Sequence, residues 1–255
     1  MMVAALRLIL LLVFPFALTV PAAAQERAPL VLAAASLQEA MTDAADTWTR
    51  AGHERPRVSF AASSALARQV AAGGRADLFV SADDDWMNDL QKRGSIVVGT
   101  RAVLARNRLV VVARPGLPRV SDVRGAALAK VLGAGALAMA DPDSVPAGKY
   151  GRAALTRLGA WNTVAPRVVR AENVRAALAL VERGVAPYGI VYATDALAAR
   201  NVRIVGVFPP RSHAPIVYPI ARLTGGRASE AEGFRRFLLS NAGRAIFVRH
   251  GFTAP

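Results

Sequence analysis

The sequence predicts an α/β protein that folds into two lobes, and three observations support this. Short apolar runs of strand length alternate with helical patterns, which is typical of α/β proteins with a largely parallel sheet. This alternation is interrupted near residue 104 and resumes beyond it. Apolar residues make up 53% of the 255 residues, and cysteine is absent, so the chain can bury a core without disulfides. A chain that enters a second lobe and returns leaves a cleft, which is a favoured ligand site.

The first part of the chain predicts three strand–helix units. Each strand is a short apolar segment, and each helix shows apolar residues at helical spacing or a polar residue at its start. Three consecutive aspartates favour the start of the third helix, because carboxylates stabilise the positive helix end. The strands are at 30–36, 57–62 and 77–82, and the helices begin at Leu37, at Ser63 and beside Asp83, Asp84 and Asp85.

The second part predicts further strands and helices of the same kind. The strand at 215–222 contains two prolines, so we expect it to be irregular or to lie at a sheet edge. One long helix is expected at 229–247. The remaining strands are at 108–113, 136–140, 167–170, 189–192 and 203–208, and the remaining helices follow Pro146, run from about 172 to 183, and start at Thr194 and Asp195.

The N-terminus has the pattern of a secretory signal peptide. Arg7 precedes an apolar run from Leu8 to Leu18, and small residues follow up to Ala24. The run is too short to cross about 30 Å of hydrocarbon, which argues against a membrane anchor. We therefore expect residues 1–24 to be removed and the protein to be exported without a lipid-anchoring cysteine.

The strong positive charge does not indicate nucleic-acid binding. The formal net charge is +14, and all but three of the 32 basic residues are arginine. The basic residues are spread evenly, whereas nucleic-acid binding clusters them on one face or interleaves them with aromatic residues. A positive surface does attract small anions.

The sequence offers little for catalysis or metal binding. The three histidines, His53, His213 and His250, are far apart, and the aspartates at 83–85 lack the spaced ligands of a calcium loop. A nucleophile elbow, a P-loop and a dinucleotide fingerprint are all missing. We therefore expect a protein that is not an enzyme, has no cofactor and coordinates no metal ion directly.

The strand-to-helix junctions form the candidate binding site. Ser36, Ser63, Ala147 and Val174 each lie where a helix begins, so free N–H groups and a positive helix end point outward there. Such groups bind small oxyanions, and the carboxyl ends of parallel strands are where ligands bind. Taken singly, Ser36 and Ser63 are explained more simply as helix N-caps that need no ligand.

The segments at these junctions resemble the periplasmic molybdate-binding proteins of molybdate ABC transporters. The similarity keeps its order from about residue 30 to the C-terminus and so covers nearly the whole exported chain. The similar segments are Ala33–Leu37, Phe60–Gln69, Ala76–Asp83, Trp86–Met87, Asp141–Pro142, Val145–Tyr150, Asn173–Arg175, Ala177–Leu178, Gly189–Tyr192, Asp195–Ala196 and Pro215–Pro219.

This resemblance implies a two-lobed periplasmic binding protein of the type II class, with the ligand in a cleft between the lobes. Lobe 1 is expected to comprise residues 25–106 and 217–255, and lobe 2 residues 107–216. The implied ligand-binding groups are hydroxyl and backbone N–H groups: Ser36 and Ser63 through both, Ala147 and Val174 through the backbone N–H, and Tyr192 through its hydroxyl.

The implied function is capture of molybdate, or tungstate, for an ABC importer. The protein is expected to be a periplasmic monomer that delivers the anion to a membrane permease, with molybdenum held only as its oxyanion. The alternative is the same fold binding another oxyanion, such as sulfate or phosphate. Because molybdate has only acceptor oxygens, a rigid site made of donors suits it, and we expect Lys149 to project into solvent rather than bind the anion.

Overall fold

The computed structural model describes residues 28–120 and 123–255, so the expected signal peptide lies outside the described residues. Within them, every helix is too short or too polar to cross a membrane. The strands are β1 (Leu30–Ala34), β2 (Arg57–Ala61), β3 (Leu78–Val80), β4 (Ala102–Asn107), β5 (Leu109–Ala113), β6 (Leu137–Ala140), β7 (Val168–Ala171), β8 (Tyr188–Tyr192), β9 (Arg203–Val207) and β10 (Ile216–Arg222).

The helices follow the strands in alternation, as the sequence predicts for most of them. A short 3₁₀ turn, Ala35–Leu37, connects β1 to the first helix. The helices are α1 (Gln38–Arg50), α2 (Ser63–Ala71), α3 (Asp84–Lys92), α4 (Gly125–Leu132), α5 (Pro146–Arg157), α6 (Trp161–Val164), α7 (Val174–Glu182), α8 (Ala193–Ala198), α9 (Ala231–Leu239) and α10 (Asn241–Arg249).

The strands form two five-stranded mixed sheets, each with one reversed strand. The first sheet has the order β2-β1-β3-β10-β4 and the second β7-β6-β8-β5-β9. In the first sheet β10 is antiparallel to both of its neighbours, and in the second β5 is. Four strands of each sheet therefore run in one direction, so their carboxyl ends and the helix starts that follow lie along the same edge.

The chain crosses between the sheets twice. It enters the second sheet through Arg108, between β4 and β5, and returns through residues 208–215. The expected lobe boundaries, 106/107 and 216/217, lie one residue inside β4 and β10, so they assign Asn107 and Ile216, which belong to the first sheet, to lobe 2. The division of the chain into lobes at these residues stays a prediction.

Several elements differ from the sequence-based expectation. Strand β4 and helices α4 and α6 were not predicted. The long helix expected at 229–247 is two helices, because the Ser240 hydroxyl accepts a hydrogen bond from the Gly243 N–H and starts a new helix. Strand β10 is irregular, as its prolines suggested, with a register shift between Tyr218 and Pro219. It does not lie at an edge, since β3 and β4 flank it.

Gly148 allows α5 to begin directly against the end of β6. A Cβ at this position would overlap the carbonyl oxygens of Ala140 and Asp141, and backbone cannot move aside as a side chain can. The glycine therefore fixes the position of the N-terminus of α5, where Ala147 lies.

We expect Gly148→Ala to lower the free energy of unfolding by about 1–3 kcal/mol, the usual cost of inserting a methyl group into a packed site. Gly225→Ala is the matched control, because a Cβ there meets nothing within 4 Å. Urea unfolding of both variants measures the difference. A Gly148→Ala protein as stable as the control would contradict this explanation.

Candidate functional site

A small cavity lies between the two sheets, where strand ends from both meet the starts of helices. It is narrow, with a cavity volume of only about 10 Å³. All five residues expected to bind a ligand line it, and their neighbours are small or apolar. The lining residues are Ala34, Ala35, Ser36, Ala61, Ala62, Ser63, Ala82, Val145, Pro146, Ala147, Asn173, Val174 and Tyr192.

The two serines on the side of the first sheet are buried, and neither caps a helix. Ser36 lies in the 3₁₀ turn after β1, with its Oγ 2.9 Å from the hydroxyl of Tyr218. Ser63 is the first residue of α2, and its Oγ accepts a hydrogen bond from the Ala82 N–H at 2.9 Å. The interpretation of these serines as ordinary N-caps is therefore wrong. Because Ser63 already accepts from Ala82, its own proton is available to an acceptor in the cavity.

On the side of the second sheet, two helix N-termini point at the cavity. Ala147 follows Pro146, the first residue of α5, and Val174 is the first residue of α7. The first four N–H groups of a helix have no acceptor within it. In α7, the side chain of Asn173 accepts from the next two, those of Arg175 and Ala176, at 2.9 Å each. The Val174 N–H is left for an acceptor outside the helix.

Tyr192 ends β8 and closes the cavity from the second sheet. Its side chain is buried, and its hydroxyl makes no hydrogen bond to the described residues. Burial raises the pKa of this hydroxyl well above its usual range, so the group stays protonated and can only act as a neutral donor or acceptor. The backbone N–H of Tyr192 donates to the Asp195 carboxylate at 3.1 Å, which holds the start of α8.

No charged side chain lines the cavity among the described residues. Arg175 is adjacent to Val174, but its guanidinium donates to the carboxylates of Asp195 and Glu39. Burial raises the pKa of Asp195 to about 6, although Arg175 favours the ionised form. Although Glu39 is partly buried, Arg175 holds its pKa below the usual range, so both carboxylates are ionised at neutral pH and together exceed the single charge of Arg175. The cavity therefore offers fixed dipoles rather than a cation.

The expectation that Lys149 projects into solvent is wrong. Its side chain is 31% exposed, and its ammonium pairs with Asp85 and, at 3.3 Å, with Asp83. These carboxylates lie at the start of α3 beside the first sheet, whereas Lys149 belongs to α5 beside the second. Trp86 adds a second bridge through its indole N–H, which donates to the Ser144 carbonyl at 2.9 Å. These contacts hold the two sides of the cavity together.

Two polar residues next to the cavity were missed by the sequence analysis. Asn107 ends β4, and its amide nitrogen lies 2.9 Å from the Thr194 hydroxyl and 3.2 Å from the Tyr218 hydroxyl. Tyr218, in β10, is fully buried behind Ser36. Tyr218 falls within one of the segments that carry the family resemblance, but no local pattern distinguishes either residue as part of a site.

A family model described as bacterial extracellular solute-binding protein matches residues 29–253. The chain belongs to this family. ModA, the molybdate-binding protein of Escherichia coli, is 43% identical to it over 244 residues, which are 93% of each chain. ModA of Haemophilus influenzae is 42% identical over 230 residues, covering 88% of this chain and 89% of that protein.

Solved structures of solute-binding proteins share the fold. The periplasmic molybdate-binding protein of Azotobacter vinelandii superposes with a TM-score of 0.76 at 25% identity, over 89% of this chain and 99% of that one. The substrate-binding domain of a putative molybdenum ABC transporter from Clostridium difficile gives 0.67 at 30% identity, over 89% and 98%. The predicted fold class, a two-lobed α/β solute-binding protein, is confirmed.

The hydrogen bond between Ser63 and Ala82 also stabilises the fold, and this contribution can be measured without a ligand. In Ser63→Ala the buried Ala82 N–H loses its acceptor, so we expect the free energy of unfolding to fall by about 1–3 kcal/mol. Ser59→Ala is the control, because Ser59 is exposed on β2, and such changes stay within about 0.5 kcal/mol. Urea unfolding compares the two variants; equal stability would exclude the Ala82 contact.

Proposed function

We propose that this protein captures molybdate, or tungstate, for an ABC importer. The observation that carries the proposal is the convergence of Ser36, Ser63, Ala147, Val174 and Tyr192 on one cavity, which no charged side chain of the described part of the chain lines. These are the residues to which the resemblance to molybdate-binding proteins assigns the ligand. Two relatives at 42–43% identity are themselves named molybdate-binding proteins.

The chemistry of the cavity suits a fully ionised tetrahedral anion. Molybdate has four acceptor oxygens and no proton near neutral pH, so it requires donors alone. Hydrogen bonds to a charged group contribute about 1.5–3 kcal/mol each, and several of them offset the cost of removing the anion from water. The positive ends of α5 and α7 supply fixed dipoles in place of a counter-charge.

Size is the basis on which we expect other tetrahedral anions to be rejected. The donors are backbone groups at helix starts and buried side chains, so they cannot move inward to contact a smaller anion. Sulfate, with shorter bonds from its central atom, would leave stretched hydrogen bonds, whereas tungstate matches molybdate. Sulfate or phosphate as the true ligand is the alternative, and it predicts the opposite order of affinities.

The proposal includes the setting of the protein. Residues 1–24 act as a signal peptide, and the mature chain works in the periplasm as a monomer that delivers the anion to a membrane permease. Lobe 1, residues 25–106 and 217–255, closes on lobe 2, residues 107–216, around the ligand. The chain has no catalytic role, no cofactor and no metal ion bound directly to its side chains.

Thermal unfolding with added anions tests the ligand. At a free concentration of about 1,000 times Kd, molybdate stabilises the folded state by about 4 kcal/mol, which corresponds to a rise in Tm of roughly 10 °C for a chain of this size. Tungstate should act equally, and sulfate and phosphate much less at the same concentration. A larger shift with sulfate or phosphate than with molybdate would favour the alternative.

Tyr192→Phe tests the donor on the second lobe. The variant keeps the ring and removes a hydroxyl that has no partner in the described residues, so stability without ligand should not fall. The Kd for molybdate, measured by calorimetry, should rise about tenfold or more, because one oxygen loses a donor. Tyr188→Phe, on the same strand but away from the cavity, should leave Kd unchanged, and identical affinities in both variants would remove Tyr192 from the site.

A further inference from the structure

The hydrogen bond between Ser36 and Tyr218 decides what Ser36 can offer a ligand. The two hydroxyl oxygens are 2.9 Å apart, and by distance alone either could be the donor. If Ser36 donates to Tyr218, its lone pairs face the cavity. If Tyr218 donates to Ser36, the proton of Ser36 is free for a ligand oxygen.

Asn107 determines the direction of this bond. The backbone N–H of Arg108 can only donate, and it lies 2.9 Å from Oδ1 of Asn107, so the carbonyl end of the amide is fixed there. The amide nitrogen consequently faces the other way, towards Tyr218 Oη at 3.2 Å and Thr194 Oγ1 at 2.9 Å. This nitrogen carries two hydrogens and no lone pair, so it donates to both hydroxyls.

The direction of the bond from Asn107 to Tyr218 then sets the direction of the bond between Tyr218 and Ser36, which lies at the cavity. Tyr218 accepts from Asn107, and the oxygen of Ser36 is the remaining partner for its own proton among the described residues. Burial raises the pKa of Tyr218, so the hydroxyl keeps that proton. Ser36 therefore accepts from Tyr218 and directs its own proton to the ligand. Ser63 likewise directs its proton to the ligand, because its oxygen accepts from the Ala82 N–H.

We propose that Asn107 and Tyr218 are positioning residues that fix Ser36 as a donor, so that the site rejects anions that carry a proton. This inference rests on the proposed function. A protonated oxyanion needs at least one acceptor, whereas each serine already accepts from the protein and so presents its one proton to the ligand. Size then separates molybdate from smaller anions. The hydrogen-bond relay from Asn107 through Tyr218 to Ser36 separates fully ionised anions from protonated ones.

Chromate and hydrogen arsenate isolate the effect of the proton. Both are tetrahedral dianions of similar size at mildly alkaline pH, but only hydrogen arsenate carries a proton. We expect the wild-type protein to bind chromate at least about tenfold more tightly, the equivalent of one hydrogen bond of about 1.4 kcal/mol. Competition against molybdate, followed by calorimetry, measures both affinities.

Two variants break the relay at different points. Tyr218→Phe removes the donor to Ser36 and leaves a lone pair of Ser36 free to accept the arsenate proton. Asn107→Ala frees Tyr218 to accept from Ser36, and it guards against poor folding of the first variant. In both, we expect the ratio of the arsenate Kd to the chromate Kd to fall at least about threefold. Thr194→Val, which removes only the second acceptor of Asn107, should keep the wild-type ratio.

The outcomes separate this inference from the proposed function. Wild-type protein that does not bind molybdate would overturn the proposed function and the relay with it. If molybdate binds, a ratio that is unchanged in both variants, or affinities for chromate and arsenate that fall equally, would overturn the relay alone. A lowered ratio in Tyr218→Phe and Asn107→Ala with the wild-type ratio in Thr194→Val supports it.

Discussion

A backbone N–H at the start of a helix finds no acceptor within that helix, and the cavity is where such groups from both sheets meet. This geometry follows from the sheets, because strands that run in one direction end at a common edge and the helices that follow them begin there. Six alanines line the cavity, and their small side chains let the backbone approach closely. The site is thus a property of the main chain, which Ser36, Ser63 and Tyr192 complete with hydroxyls.

The net charge of the chain acts on an anion at long range, whereas the groups that line the cavity act on it only at contact. The chain carries a formal charge of +14, yet Arg175 and Lys149, which lie within two residues of Val174 and Ala147, each pair with two carboxylates. The surplus charge therefore lies on the surface, where it draws anions in and is screened by salt. In the proposed function, recognition depends on dipoles that are fixed inside the cavity and that salt screens only weakly.

The sequence predicts which residues meet in this cavity because each of them is marked by a local pattern. A short apolar run followed by serine, or by proline and small residues, marks a strand end and a helix start within about ten residues. Strand β4 was missed because it is only partly buried and carries polar residues, and α4 because no side chain caps its start. The break at Ser240 did carry a local signal, a serine followed by asparagine.

The parts that could not be predicted depend on contacts between distant segments. Ser36 and Tyr218 are 182 residues apart, and the partners of Lys149 are known only once the two sheets are set against each other. Strand β10, which runs opposite to its neighbours, also affects the order in which the first sheet can form. The second sheet comes from one continuous stretch, whereas β3 and β4 both pair with β10. Strand β3 therefore has an unpaired edge until β10, near the end of the chain, is available, so we expect the first sheet and the cavity beside it to be completed late in folding.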